Sequence, residues 1–322
     1  MRRTAGRAAV LAAAVVLLGG AAGGYAAWSA RRDPGGAAGT AATASPVTPG
    51  QLMFRAADGR VARVPLDRPS APPTADGPRC DRFSTGGGVS VCLVARPGPV
   101  TTTDALILDR SLRQTRRVEL AGIPNRARVS ASGRMVSWTV FVTGDSYSQG
   151  GFSTWTGILD TRTGYAVTNM EDIPLTLGGR RYHAADVNYW GVTFAPDDNR
   201  FYATVATKGR TYLVEGDYGA WRARTLRENA ECPSLSPDGT RLVFKKRVSD
   251  DPDRPWRLHV LDLATMRETP LAERDSVDDQ AAWLDGRTVM YAKGRDVWSV
   301  PADGGGAPSL LVRGASSPVA VR

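Results

Sequence analysis

The chain has 322 residues, 42% of them hydrophobic and 23% charged, which supplies a sizeable core and excludes a disordered or collagen-like chain. Its formal charge is +9, yet five arginines (Arg2, Arg3, Arg7, Arg31, Arg32) lie in the first 32 residues with no acid among them, leaving 36 basic and 32 acidic side chains for the rest. That near-balance, with no basic stripe, excludes nucleic acid as an expected partner.

The first element is the apolar run Ala8–Ala27, behind the basic MRRTAGR. About 20 apolar residues suffice for a helix to cross a bilayer. Tyr25 and Trp28 near its far end suit the membrane interface. The run predicts one hydrophobic N-terminal helix, and residues 1–30 read as a signal-anchor. A cleaved signal peptide is the alternative, with small residues at Gly24–Ala26 and Ala30 as cleavage sites. Both place the bulk of the chain outside the cytoplasm: on the cell membrane if the segment is retained, secreted if it is removed. Residues 31–50, rich in Gly, Ala, Thr and Pro, read as a flexible linker.

Residues 51–322 are built on a repeat. One recurring piece is a strand, a turn of Gly, Asp or Asn, and a second strand, the signature of a hairpin. Its clearest copy is PSLSPDGTRLVFKK at Pro233–Lys246. Weaker copies start at Asp81, Ala127, Gly191 and Ala281. The other piece is an apolar strand ending in aspartate, at Asp67, Asp109, Asp160, Asp217, Asp262 and Asp303. In the fourth copy Glu215 is the alternative holder of the acidic position. An aspartate there is expected to hydrogen-bond the following turn. Spacing of about 40–50 residues matches propeller blades, whose small sheets bury one another radially. The first copy, Leu52–Asp67, lacks an inner strand, and Ser316–Arg322 is left over at the other end. The expected fold is therefore all-β: a six-bladed β-propeller closed by pairing of N- and C-terminal strands, with Pro318–Val321 as the missing inner strand.

SPDGTRLVF (Ser236–Phe244) followed by LHVLDL (Leu258–Leu263) resembles the repeat of TolB-like and related WD-type propellers. The likeness spans Leu52–Arg322, with only the fifth blade matching closely. It implies an exported propeller used for protein–protein contact, often in envelope assembly or transport. The extra α/β domain of full TolB proteins is missing, so a direct role in a Tol–Pal system is not implied.

Candidate chemistry is sparse. Aligned blades put Cys80 and Cys92 on two strands of one hairpin, and export permits a disulfide between them. Cys232 aligns three blades away and reads as a lone buried thiol. With two histidines, His183 and His259, a three-histidine metal site is excluded, and CxxC and HExxH are absent. His259 reads as the outward member of its strand. Gly144-Asp-Ser146 superficially resembles a GDSL hydrolase but lacks its strand-to-helix setting. The acidic loop Ser249–Asp253 lacks the EF-hand pattern. No catalytic residue, cofactor or metal ligand is assigned. The longest insertion, Asp172–Trp190, contains RRYHAADVNYW, and mixed polar and aromatic loop residues suit recognition. The candidate partner surface is Trp155, Arg181, Tyr182, His183, Asp186, Asn188 and Trp190, with Thr143–Trp155 as a second loop. Trp155, Trp190 and Trp256 are read as loop tryptophans open to stacking, the other tryptophans as inter-sheet packing. The expectation is a non-enzymatic, monomeric interaction or scaffold module with a protein partner at the cell envelope. The alternatives are an envelope glycan- or peptide-acting hydrolase or lyase, for which His183 with Asp186 would be the start, and a ligand-sensing domain.

Overall fold

The computed structural model describes residues 44–142 and 153–322. The predicted N-terminal helix, most of the linker and of the Thr143–Trp155 loop, and Gly144-Asp-Ser146 lie outside the described residues. Among the described residues, no helix is long and apolar enough to cross a membrane.

Six small sheets, antiparallel except for one added parallel strand in blade 4, form a six-bladed propeller. Blade 2 is the simplest, with Arg82–Gly86 innermost, then Val89–Arg96, Thr102–Leu108 and Gln114–Ala121. Blade 3 runs from Ile123–Val129 to Ala166–Val167, blade 5 from Glu231–Leu235 to Glu268–Pro270, and blade 6 from Ala282–Trp283 to Ser309–Val312. In blade 1, Ala315–Val321 is antiparallel to Gln51–Ala56, pairing Gln51 with Val321 and Met53 with Val319. Val61–Pro65 follows on the outside of that blade.

Alternation along the strands explains the radial packing. In Gln51–Ala56, Leu52 and Phe54 pack with Met290 and Val297 of blade 6, while Met53 packs with Phe83 and Cys92 of blade 2. Successive side chains point to opposite faces, so one strand feeds two interfaces. The same holds around the ring: six apolar clusters each join one blade to the next. Burying one Leu-sized side chain contributes about 2 kcal/mol, and a four-stranded blade alone has no partner for either face.

The aspartates that end the third strands act through their turns. Asp109 Oδ1 accepts from the N–H groups of Ser111 and Arg113 at 2.8 and 2.9 Å, and Asp160 Oδ1 from Arg162 N–H at 2.9 Å. Asp217, Asp262 and Asp303 likewise accept from Ala220, Thr265 and Gly305. Asp217, not Glu215, fills the role in blade 4, because Glu215 is paired with Arg224 at 2.9 Å. Asp67 departs from the pattern: no turn hydrogen bond reaches it among the described residues, and Arg68 lies 4.0 Å away.

Cys80 and Cys92 are joined by a disulfide, S–S 2.05 Å. It ties the lead-in to the inner strand of blade 2 to the second strand.

Candidate ligand site at the mouth of the central channel

The inner strands run side by side around a central channel, and four are interrupted by bulges. The ladder shifts between Pro124 and Arg126 in blade 3, Trp190 and Thr193 in blade 4, Glu231 and Ser234 in blade 5, and opposite Met53 and Arg55 in blade 1. A bulge re-aims the side chains beside it. Three bulges hold a residue at positive φ: Gly191 (64°), Cys232 (50°) and Ser317 (50°). Gly191 is required where it stands, since a Cβ there would lie 2.8 Å from Cys232 Cα.

Where the inner strands begin, the channel widens into a cavity of about 860 Å³. That lies within the range of sites for small molecules or the tip of a peptide. Its wall combines Trp190 and Trp256 with Arg82, Arg126, Glu231 and Asp278. Lys245 is buried, ion-paired to Asp278, and lies 4.4 Å from the centre of the Trp256 ring. Arg126 Nη2 is 3.5 Å from the same carboxylate, whose side chain is 69% exposed into the cavity. Against the raising effect of the protein around it, Lys245, Arg126 and Arg82 hold the Asp278 carboxyl below the usual range. Burial pushes Glu231 up, with Lys245 opposing. Burial also pushes Arg128, deeper on the blade 3 strand, down to about 10. Cys232, a free thiol, is buried in the wall.

The surface expected from the insertion Asp172–Trp190 divides. Leu175–Leu177 and Arg180–Tyr182 are strands, not loop, and extend blade 4 on its outer side; Leu175–Leu177 runs parallel to Arg222–Glu228. The register Leu175↔Ala223 buries Leu175 against the blade 3–blade 4 core. Arg181 and His183 are exposed. Tyr182 is half-buried, its hydroxyl 2.9 Å from Thr207 Oγ1 and its ring 4.9 Å from Lys208 Nζ. Asp186 accepts from the Thr207 hydroxyl at 2.8 Å and the Lys208 N–H at 2.7 Å. This fastens the insertion to the Thr207–Arg210 hairpin and occupies both carboxylate oxygens. Asn188 is buried and accepts from Thr154 N–H at 3.0 Å, linking blade 4 to blade 3. Asp186, Asn188 and Trp190 reach the cavity wall; Arg181, Tyr182, His183 and Trp155 do not.

The loop tryptophans are in strands. Trp155 belongs to Ser153–Asp160 opposite Val140 and is 45% exposed. Trp190 belongs to Asn188–Phe194 and is buried, and Trp256 begins Trp256–Asp262. β-Propensity and cross-strand pairing put these rings in ladders. His259 is half-buried against Phe244, with ring centroids 5.8 Å apart, because its strand face meets the neighbouring strand. Burial holds it below the usual histidine range. Among the described residues, no group of three or more His, Cys, Asp or Glu could hold a metal ion.

The arginines of the inner strands escaped sequence reading. Their signal was present as alternation: Arg126 and Arg128 interleave with Ala127 and Val129, and Arg82 precedes Phe83. Val129 and Phe83 face the inter-blade cores, and the alternate positions face the channel.

No protein-family model and no curated protein matches the sequence. Solved structures share the fold at low identity. TolB from Acinetobacter baumannii superposes with a TM-score of 0.59 at 14% identity, over 84% of this chain and 66% of that one, so this chain spans just under two thirds of TolB's length. An oligogalacturonate lyase in complex with manganese gives a TM-score of 0.52 at 11% identity, over 83% of this chain and 74% of that one. A chain of a nidogen/laminin complex gives 0.50 at 12% identity, over 78% and 89%. The fold is that of TolB-like six-bladed propellers.

Proposed function

We propose that this protein is an exported, envelope-associated TolB-like propeller that binds a protein partner at the channel mouth and performs no covalent chemistry. The observation that carries the reading is the open cavity of about 860 Å³, framed by strands and walled by aromatic and charged side chains already held in place. Lys245 is fixed by Asp278 and Trp256, and Asp186 by Thr207 and Lys208. A rigid concave wall of this kind loses little freedom on binding. The carboxylates of Asp186, Glu228 and Asp278 are committed to structural bonds, which favours recognition over acid–base work.

The apolar run Ala8–Ala27 and the Cys80–Cys92 disulfide support export, since disulfides persist in oxidising compartments. The chain acts as a monomer, anchored by its N-terminal segment. That nidogen is crystallised with laminin and that one propeller of this shape is a lyase illustrates that the fold alone does not choose between binding and catalysis.

The test is capture from envelope extract by the full chain in mild detergent. A specific protein retained by the wild type and lost with Arg247→Glu at the cavity wall supports the reading. Turnover of an envelope glycan or peptide, abolished by His183→Ala, would replace it with an enzymatic one.

A further inference from the structure

Six cations (Arg82, Arg126, Arg128, Arg210, Lys245, Arg247) and five acids (Asp186, Glu228, Glu231, Asp278, Asp279) line the channel mouth and the constriction beneath it. Of these, Arg210 pairs with Glu228 at 3.1 Å, Asp186 is held by Thr207 and Lys208, and Arg247 lies over the Trp256 ring. Asp278 and Asp279 are already used. Asp278 takes Lys245 and Arg126, and Asp279 accepts from Ala292 N–H at 3.0 Å. Glu231 is buried beside Lys245, and burial pushes its pKa up while Lys245 opposes. Arg82 is not matched in return, and Arg126 meets Asp278 only at 3.5 Å. Arg82 has no hydrogen-bond or ion-pair partner for its guanidinium among the described residues, although burial, and then the charge of Arg126, press its pKa down. Arg126 is 9% exposed, and its Nε, like that of Arg128, is buried without a hydrogen-bond partner. A guanidinium cannot escape this by releasing its proton at neutral pH. Arg82 and Arg126, on adjacent inner strands, thus line one cavity, Arg82 with its guanidinium unpartnered among the described residues and Arg126 with Asp278 at 3.5 Å as its ion-pair partner and its Nε without a hydrogen bond.

We infer that the channel mouth is a carboxylate-binding site, in which Arg82 and Arg126 together grip an acidic group of the ligand while the cavity above holds the rest of it. The inference rests on the proposed binding role of this face and names its chemistry. Guanidinium donors in a fork match a carboxylate in geometry as well as in charge. Asp278 and the Trp190 and Trp256 rings line the same cavity and bound the space left for the remainder of the ligand. The carboxylate is carried either by a free small acid or by an acidic polypeptide segment.

Trp190 and Trp256 in the cavity wall provide the readout, as tryptophan fluorescence of the full chain titrated in mild detergent at low salt. Three probes are compared: tricarballylate, a six-residue glutamate peptide, and its neutral glutamine counterpart. Binding of either acidic probe and not of the neutral peptide is expected, weakening as salt is added. Tricarballylate alone marks a free acid as the source, and the glutamate peptide alone a polypeptide. Arg82→Gln is expected to weaken binding by about tenfold or more, as for removal of one partner of a desolvated charge pair. It breaks no existing hydrogen bond, so an unchanged urea midpoint shows that the fold survives. Arg113→Gln, on the outer edge of blade 2, removes the same charge and should leave affinity unaltered. Absence of binding by both acidic probes up to about 10 mM, an affinity too weak for recognition, overturns the inference. So does equal binding by the Arg82→Gln protein. If envelope capture persists while the acidic probes fail, the binding role stands and only its carboxylate chemistry falls.

Discussion

Arg134 and Asp160 face each other at one end of blade 3, with Arg134 Nη2 2.6 Å and Nε 3.1 Å from Asp160 Oδ2. Asp160 is almost fully buried at the side chain, while Arg134 is about 30% exposed, 29% by surface area. The same carboxylate also holds the turn through Arg162 N–H. Asp160→Ala removes both bonds and leaves Arg134 without its partner. A loss of about 2–3 kcal/mol is expected, read as a lower urea midpoint, with Arg134→Ala losing less because the turn bond remains.

Acid should destabilise the propeller through these turns. The carboxyls of Asp109, Asp160, Asp217 and Asp262 are held below the ordinary range: by the Arg113 N–H at Asp109, by the Arg134 side chain at Asp160, by the Ala220 N–H at Asp217 and by the Thr265 hydroxyl at Asp262. Asp238 is brought down to about 2, first by the Ser236 hydroxyl. A carboxyl with a lower pKa folded than unfolded gives its full contribution above the unfolded value, about 3.9. That contribution declines as pH falls toward the folded pKa. Unfolding midpoints measured across pH should drop steeply below about 4 as these carboxyls protonate. Asp262→Asn should flatten the drop, and a protein equally stable at pH 2.5 and pH 6 would contradict the assignment.

The Cys80–Cys92 bond closes a loop with a sequence separation of 12. By chain entropy such a bond stabilises by about 3 kcal/mol. Reductant, or Cys80→Ser with Cys92→Ser, should lower thermal stability accordingly. Cys232 is 1% exposed, so a thiol reagent should label it only in denaturant. Rapid labelling of the native protein would show that the channel wall opens.

Gly191 cannot be replaced cheaply. It sits at φ 64°, and an added Cβ would meet the backbone of Cys232 at 2.8 Å. Gly191→Ala should cost about 2 kcal/mol or more, from left-handed strain and the clash together. Gly209→Ala is the control, because its φ of 69° carries the strain while nothing lies within 4 Å. The difference between the two variants isolates the contact between blades 4 and 5 at the channel wall.

The sequence by itself determined the repeat: strands of alternating polarity, hairpin turns such as Ser236–Gly239, and aspartates placed to bond their own turns. These are local relationships, fixed by residues a few positions apart, and they were legible at that range. The tertiary structure alone decided the site. Arg82 and Arg126 stand in different blades, and nothing in either strand says that they face one cavity. Bulges at Gly191 and Cys232 shift the inner strands by a residue, which turns Trp190 from a loop ring into cavity wall. The neighbours of Asp186 and Asn188 belong to other strands and use up their hydrogen-bonding groups, so residue type in the insertion did not reveal which groups remain free. A polar side chain is available to a ligand only after the fold has taken its share of partners, and that division is made by contacts between blades, not by the order of residues along the chain.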